Sequence, residues 1–236
     1  MFKKHFLTVM LIAALFTATT VYSQTTNTWL DFYDQAPVIQ IIDPMAMLVG
    51  SLPEGKNMLT IKLTDVALYS GHVCVGIASG YILTKMALDS LYLDSIPERG
   101  QIRVAAMAPS DLFDVASYIT GARAFYGRDE INANDLAIDP WLTPKKQGKL
   151  AMVFQRKDTG KAVTAVFNKF KLIPPDQAKG IKAFLKKMLA GKVLPQEKEK
   201  KWGEIQALVK KVLLETPEGV LEITSIDNYQ FPKTAN

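Results

Sequence analysis

A histidine and a cysteine stand two positions apart in Gly71-His72-Val73-Cys74-Val75-Gly76. Cys74 is the single cysteine of the chain and His72 one of its two histidines. Imidazole and thiolate are the side chains best suited to zinc and other borderline-soft ions, and residues at i and i+2 face one ion only from a turn or extended backbone. Ile77 to Leu91 reads as a helix, so the pair is expected at its N-terminal mouth. There the macrodipole and the free amides should lower the thiol pKa. The bland alternatives are a buried, inert thiol and a histidine without chemistry.

Other residues with usable chemistry gather further on. Pro109-Ser110-Asp111 punctuates the entry into a helix that Gly121 ends. Asp111, in its first turn, reads either as a cap complementing the dipole or as a third metal ligand. Asp114, one turn on, can reach the same space or form a salt bridge. From Ala122 to Pro144 the chain turns polar and irregular, a candidate site wall. Arg123 there suits a carboxylate or phosphate, with a surface ion pair to Asp129 or Glu130 the stronger reading. Tyr126 is a candidate proton carrier beside it. Ser-His-Asp order, phosphate loop and HExxH helix are all missing, so the residues do not narrow a reaction.

Two ordered blocks resemble the FmdE family, named for a subunit associated with formylmethanofuran dehydrogenase. The first is Gly71-His72-Val73-Cys74-Val75-Gly76, similar to a Gly-His-x-Cys-Pro-Gly motif followed by a glycine-rich helix. The second runs from Asp111 to Gly121 and resembles an Asp-x-x-Thr-Gly pattern on a short helix. The resemblance covers Tyr69 to about Leu172. It implies an α+β fold, dimers in many members, and in some a zinc ion near the His-x-Cys motif. Departures are Ser70 where many members have a histidine, Val75 in place of proline, and Asp111 and Ala122 where later cysteines fall. The cysteine-rich module that ends some members has no counterpart after Ala151. A metal here therefore needs Asp111, Asp114, water or a second subunit beside His72 and Cys74. Zinc is the first expectation, with iron or copper as alternatives.

The elements that must position these residues follow from pattern. Pro44 to Val49 and Thr64 to Tyr69 read as short helices, and Met58 to Leu63 as a strand. Gly76, Ala78, Ser79 and Gly80 open the next helix with small residues that admit another backbone or a ligand. Gln101 to Ala108 reads as a buried strand. Lys149 to Arg156 and Lys161 to Lys169 alternate around Lys157-Asp158-Thr159-Gly160 as a hairpin. Two helices, Pro174 to Ala190 and Pro195 to Leu214, precede a last strand, Gly219 to Ile226. Ile181, Phe184, Leu185, Met188 and Leu189 form an apolar stripe expected to meet the core or a second copy rather than a membrane. The expected architecture is α+β, a mixed or antiparallel sheet packed with helices, with a C-terminal helical extension. The expected divisions are 1–23, 24–172 and 173–236.

Met1 to Ser23 reads as a signal peptide: Lys3 and Lys4, then an apolar run from Phe6 to Thr20, then Val21-Tyr22-Ser23 at the cut. The run is shorter than the roughly 20 residues a spanning helix needs. The expectation is a soluble exported protein, periplasmic or extracellular, without stable membrane insertion after cleavage. In an oxidising compartment a lone cysteine is an inert buried thiol, a metal ligand or an intermolecular bridge. With 48% apolar residues the chain can pack a substantial core. The net charge of +5 is concentrated in Lys179 to Lys211, where interleaved glutamates make an ordinary solvated face and argue against nucleic acid. Three functions follow: an exported metal-binding protein, a metal-dependent enzyme acting on a small anionic substrate, or a non-catalytic, ligand-binding partner in an extracytoplasmic redox complex. A homodimer is expected from the resemblance.

Overall fold

The computed structural model describes residues 29–124, 134–144 and 146–232. The proposed leader, 1–23, and Tyr126 lie outside the described residues. The chain divides into a first unit ending at Asp31 and a second running from Phe32 to the C-terminus. The second unit holds the described strands and α-helices.

Its hub is a helix buried on nearly every side. The Val75–Tyr92 segment has apolar or small residues all round, which suits a helix with protein on every face rather than an amphipathic one. Numbering strands and α-helices in chain order, the unit begins with β1 (Ile39–Ile42), α1 (Pro44–Leu48), β2 (Met58–Ile61) and α2 (Leu63–Ser70). The hub helix is α3, followed by β3 (Ile102–Ala106), α4 (Asp111–Thr120), β4 (Leu136–Ile138) and β5 (Lys149–Arg156). Next come β6 (Ala162–Asn168), α5 (Lys169–Leu172), α6 (Pro175–Leu189), α7 (Pro195–Leu214) and β7 (Leu221–Ile226). The fold is α+β, as its sequence pattern predicts.

Two sheets are present among the described residues. β1 and β2 pair antiparallel, Ile39 opposite Ile61 and Ile42 opposite Met58. The larger sheet has the order β4-β3-β5-β6-β7, with β3 and β4 parallel and every other pair antiparallel. The β5–β6 hairpin turns at Gly160, whose φ of 71° is the left-handed conformation that glycine adopts without a Cβ penalty. α3 packs on β6, β7 and β5 and meets α4, α7 and α2 on its other sides. Tyr81 on α3, fully buried, places its hydroxyl between the carbonyls of Pro37 at 2.7 Å and Ile61 at 3.0 Å, sharing one proton between them, which ties the small sheet to the hub.

The helix boundaries have local causes. Gly71 caps α2 in the left-handed region and releases the chain into the His-x-Cys turn. Cys74, extended at φ −101° and ψ 178°, is the N-cap of α3, so this helix starts two residues before the pattern predicts. Ser110 caps α4 by accepting from the Phe113 amide, which frees the Asp111 side chain from capping. The strand expected through Ala108 ends at Ala106, and the one expected through Lys169 ends at Asn168, where the short helix α5 begins. β4 lies within the stretch read as irregular; only three residues long, it joins by parallel pairing of Val104 with Leu136 through Ala106 with Ile138.

The last two helices differ in how much they bury. α7 contributes Ile205, Val209, Val212 and Leu213 to the core, each worth about 1.5–3 kcal/mol when fully removed from water. α6 buries Phe184 alone.

Candidate metal centre

His72, Cys74 and Asp111 converge. One ligand atom from each lies within 4.8 Å of the others, although Asp111 is 37 residues further along the chain than Cys74. The convergence depends on how α3 and α4 cross. At Gly80 a Cβ would stand 2.9 Å from the Leu112 Cα and 3.2 Å from the Val115 Cβ, so only glycine lets the α4 backbone come this near. At Gly76 a Cβ would stand 2.8 Å from Asp111 Oδ2 and 3.2 Å from its Cβ. The small residues at the start of α3 thus admit a backbone at one position and a ligand side chain at the other.

Each donor is oriented by its neighbours. The Cys74 thiol donates to Asp111 Oδ2 at 3.0 Å, while its sulfur accepts from the Ile77 amide at 3.5 Å. His72 Nδ1 lies 3.0 Å from the Ser70 carbonyl. A carbonyl only accepts, so Nδ1 carries the proton and Nε2 keeps the lone pair a metal needs. The Ser70 hydroxyl lies within hydrogen-bonding distance of two carbonyls, Val66 at 2.8 Å and His72 at 2.7 Å, and donates its one proton between them. Ser70 thereby braces the loop that carries His72. The Val73 carbonyl between the two ligands accepts from Gln206 Nε2 on α7 at 3.0 Å, and Gln206 Oε1 accepts from the Tyr33 hydroxyl at 2.8 Å.

The electrostatics correct one sequence expectation. Burial, then the hydrogen bond to Asp111, push the Cys74 thiol up to about 12, against the lowering expected from the helix terminus. The amides of Ile77 and Gly76 do act in the expected direction, but desolvation and an adjacent carboxylate outweigh them. Asp114 is raised from the usual carboxylate range by desolvation and by Asp111.

The donor set fits a metal. A tetrahedral zinc at about 2.0–2.3 Å from each donor needs them roughly 3.5 Å apart. The 3.0 Å sulfur–oxygen distance and the 4.8 Å outer limit bracket that figure. One ring nitrogen of His72, Cys74 Sγ and one Asp111 oxygen would hold the ion, whose charge would stabilise the thiolate in place of its proton.

The three residues also line a cavity of about 520 Å³. Ser110 and Lys169 add polar groups, and the remaining wall is apolar, including Leu150, Phe167, Ile173, Ile181, Trp202 and Ile205. Asp114 and Arg123 are not among the residues lining it. Arg123 is exposed, and its carbonyl accepts from the Asp135 amide at 3.0 Å. Lys169, Trp202 and Gln206 were not singled out from sequence. The usable signal was the apolar stripe of α7, in which Trp202 precedes Ile205, Val209 and Val212 at helical spacing.

No characterised protein and no solved structure matches the chain significantly. The family model described as "FmdE, Molybdenum formylmethanofuran dehydrogenase operon" matches residues 69–222, well over half of the chain. The match takes in both sequence blocks, all three converging residues and every element from α3 to α7, so this chain belongs to the FmdE family.

Proposed function

We propose that this FmdE-family protein is exported and binds one transition metal ion, zinc by preference, through His72, Cys74 and Asp111. The observation that carries the reading is the convergence of one nitrogen, one sulfur and one oxygen donor within 4.8 Å. Gly76, by leaving room for Asp111, and the Ser70 carbonyl, by fixing the His72 tautomer, support it. Export is supported by the leader-like composition of residues 1–23. No described helix is long and apolar enough to cross a membrane. The test is elemental analysis of protein purified without a metal-affinity tag. One equivalent of metal, lost on His72→Ala and on Cys74→Ser, is the expected result.

The cavity beside the triad favours a second reading, a metal-dependent enzyme. Three protein donors leave a tetrahedral ion one position short, the arrangement of catalytic rather than structural zinc sites. A metal in such a site supplies Lewis acidity and an acidified water. The chain's own part is to hold a substrate in the cavity and to bring Lys169 near its anionic group. Turnover that is lost on Lys169→Gln, with metal content kept, would separate this reading from simple metal binding.

A further inference from the structure

The residues lining the cavity next to the triad are of two chemical kinds. His72, Cys74, Ser110, Asp111 and Lys169 supply polar groups, while the rest of the lining is aliphatic or aromatic. Its volume of about 520 Å³ lies in the range of sites for small organic ligands. That range suits a ligand with one medium-length acyl chain or a substituted aromatic acid.

Charge decides the head group. A divalent ion at the triad is matched by the Cys74 thiolate and the Asp111 carboxylate, so these three groups together are neutral. Lys169 has no carboxylate within ion-pair distance among the described residues. It is half-buried and lines the cavity, so an anion entering there gains a partner that the fold has not supplied. Without the metal, the same anion would face Asp111 and be repelled.

We propose that the cavity binds a small amphiphile with a single apolar tail and a carboxylate head. The tail lies among α6, α7 and the sheet strands β5 and β6, and the head meets Lys169 and the metal-bearing triad. α6 suits the place of a cover, because it lines the cavity through Ala178, Ile181 and Leu185 yet buries only Phe184. The head-group assignment rests on the metal reading above, whereas the tail assignment rests on the cavity alone.

The test is calorimetric titration of the zinc-loaded full chain with dodecanoate below its micelle concentration, beside dodecanol and acetate. Saturable one-to-one binding of dodecanoate is expected, with dodecanol and acetate each at least about tenfold weaker. Lys169→Gln should weaken dodecanoate about tenfold and leave dodecanol unchanged. Ala178→Trp, at a half-buried helix position where a larger side chain fills the cavity, should abolish binding of both while zinc content and the circular dichroism spectrum stay as in the parent. Absence of saturable dodecanoate binding in protein that carries its zinc would overturn the inference and leave the metal reading standing. Equal binding of dodecanol and dodecanoate would overturn the head-group assignment. Elemental analysis of the same samples decides the metal reading separately: protein that takes up no zinc refutes it and with it the metal's part in head binding. Dodecanoate binding as tight without zinc as with it also overturns that part.

Discussion

The two sides of the cavity are built differently. One side, where α3 and α4 begin, is held by close backbone approach, with Gly80 against Leu112 and Gly76 against Asp111, and by Gln206 reaching the Val73 carbonyl. The other side includes α6, a 15-residue helix that buries one side chain and leaves Leu189 85% exposed. Donors that are to share one ion would need fixed positions, and the three candidates lie on the tightly packed side. A ligand that enters and leaves needs a wall that yields, and a helix with few buried contacts opens at low free-energy cost.

The largest effect should come from disturbing the packed side. Gly80→Val places methyl groups where the α4 backbone stands and should cost about 1–3 kcal/mol or more in urea unfolding, with metal binding impaired. A fully stable variant with normal metal content would show that the helix crossing does not set the site. Gly76→Ala is the finer probe: its Cβ meets the Asp111 carboxylate directly, so zinc affinity should fall about tenfold or more, in the range for altered ligand support, with a smaller loss of stability. Competition with a chromophoric chelator measures it.

A pH dependence of similar size follows from the Cys74 thiol, pushed up to about 12 by burial and Asp111. The thiol is protonated at neutral pH without metal, and zinc must displace that proton. Apparent zinc affinity should therefore rise about tenfold per pH unit between about pH 7 and 8, with one proton released per ion. An affinity flat across that window would mean a site already holding thiolate. For the same reason metal-free protein should react with iodoacetamide much more slowly than a free thiol of ordinary pKa. The smallest effect is expected on the loose side: Leu189→Lys should change stability by less than about 0.5 kcal/mol, as exposed substitutions do. A loss of several times that would mean that α6 is held by contacts its exposure does not reveal.

Much of this difference was written in local sequence. His72, Cys74 and the small residues after them marked the packed side because ligand chemistry and close approach each demand particular residue types. Asp111 was legible as one of two alternatives, since no local pattern distinguishes a carboxylate aimed at a thiol from one that caps a helix. Ser110 turned out to hold the cap. The hairpin from Lys149 and the helices after Pro174 followed from alternation and helical period. β4 did not, because a three-residue strand in a polar stretch carries no period, and its pairing with β3 is a property of the whole sheet. Lys169 and Trp202 were hidden for a related reason: they come to line the cavity only through the packing of α5 and α7. The direction of the Cys74 shift was missed because burial, which outweighs the helix terminus, cannot be read from neighbours in the chain.

The most direct test of the central claim is the metal content of protein purified without a metal-affinity tag and then reconstituted under reducing conditions, measured by elemental mass spectrometry beside His72→Ala, Cys74→Ser and Asp111→Asn. The account predicts about one equivalent, zinc in preference to other ions, in the parent and little in the first two variants, with a weakened site in the third. A parent chain that keeps no metal, or variants that keep as much as the parent, would contradict it.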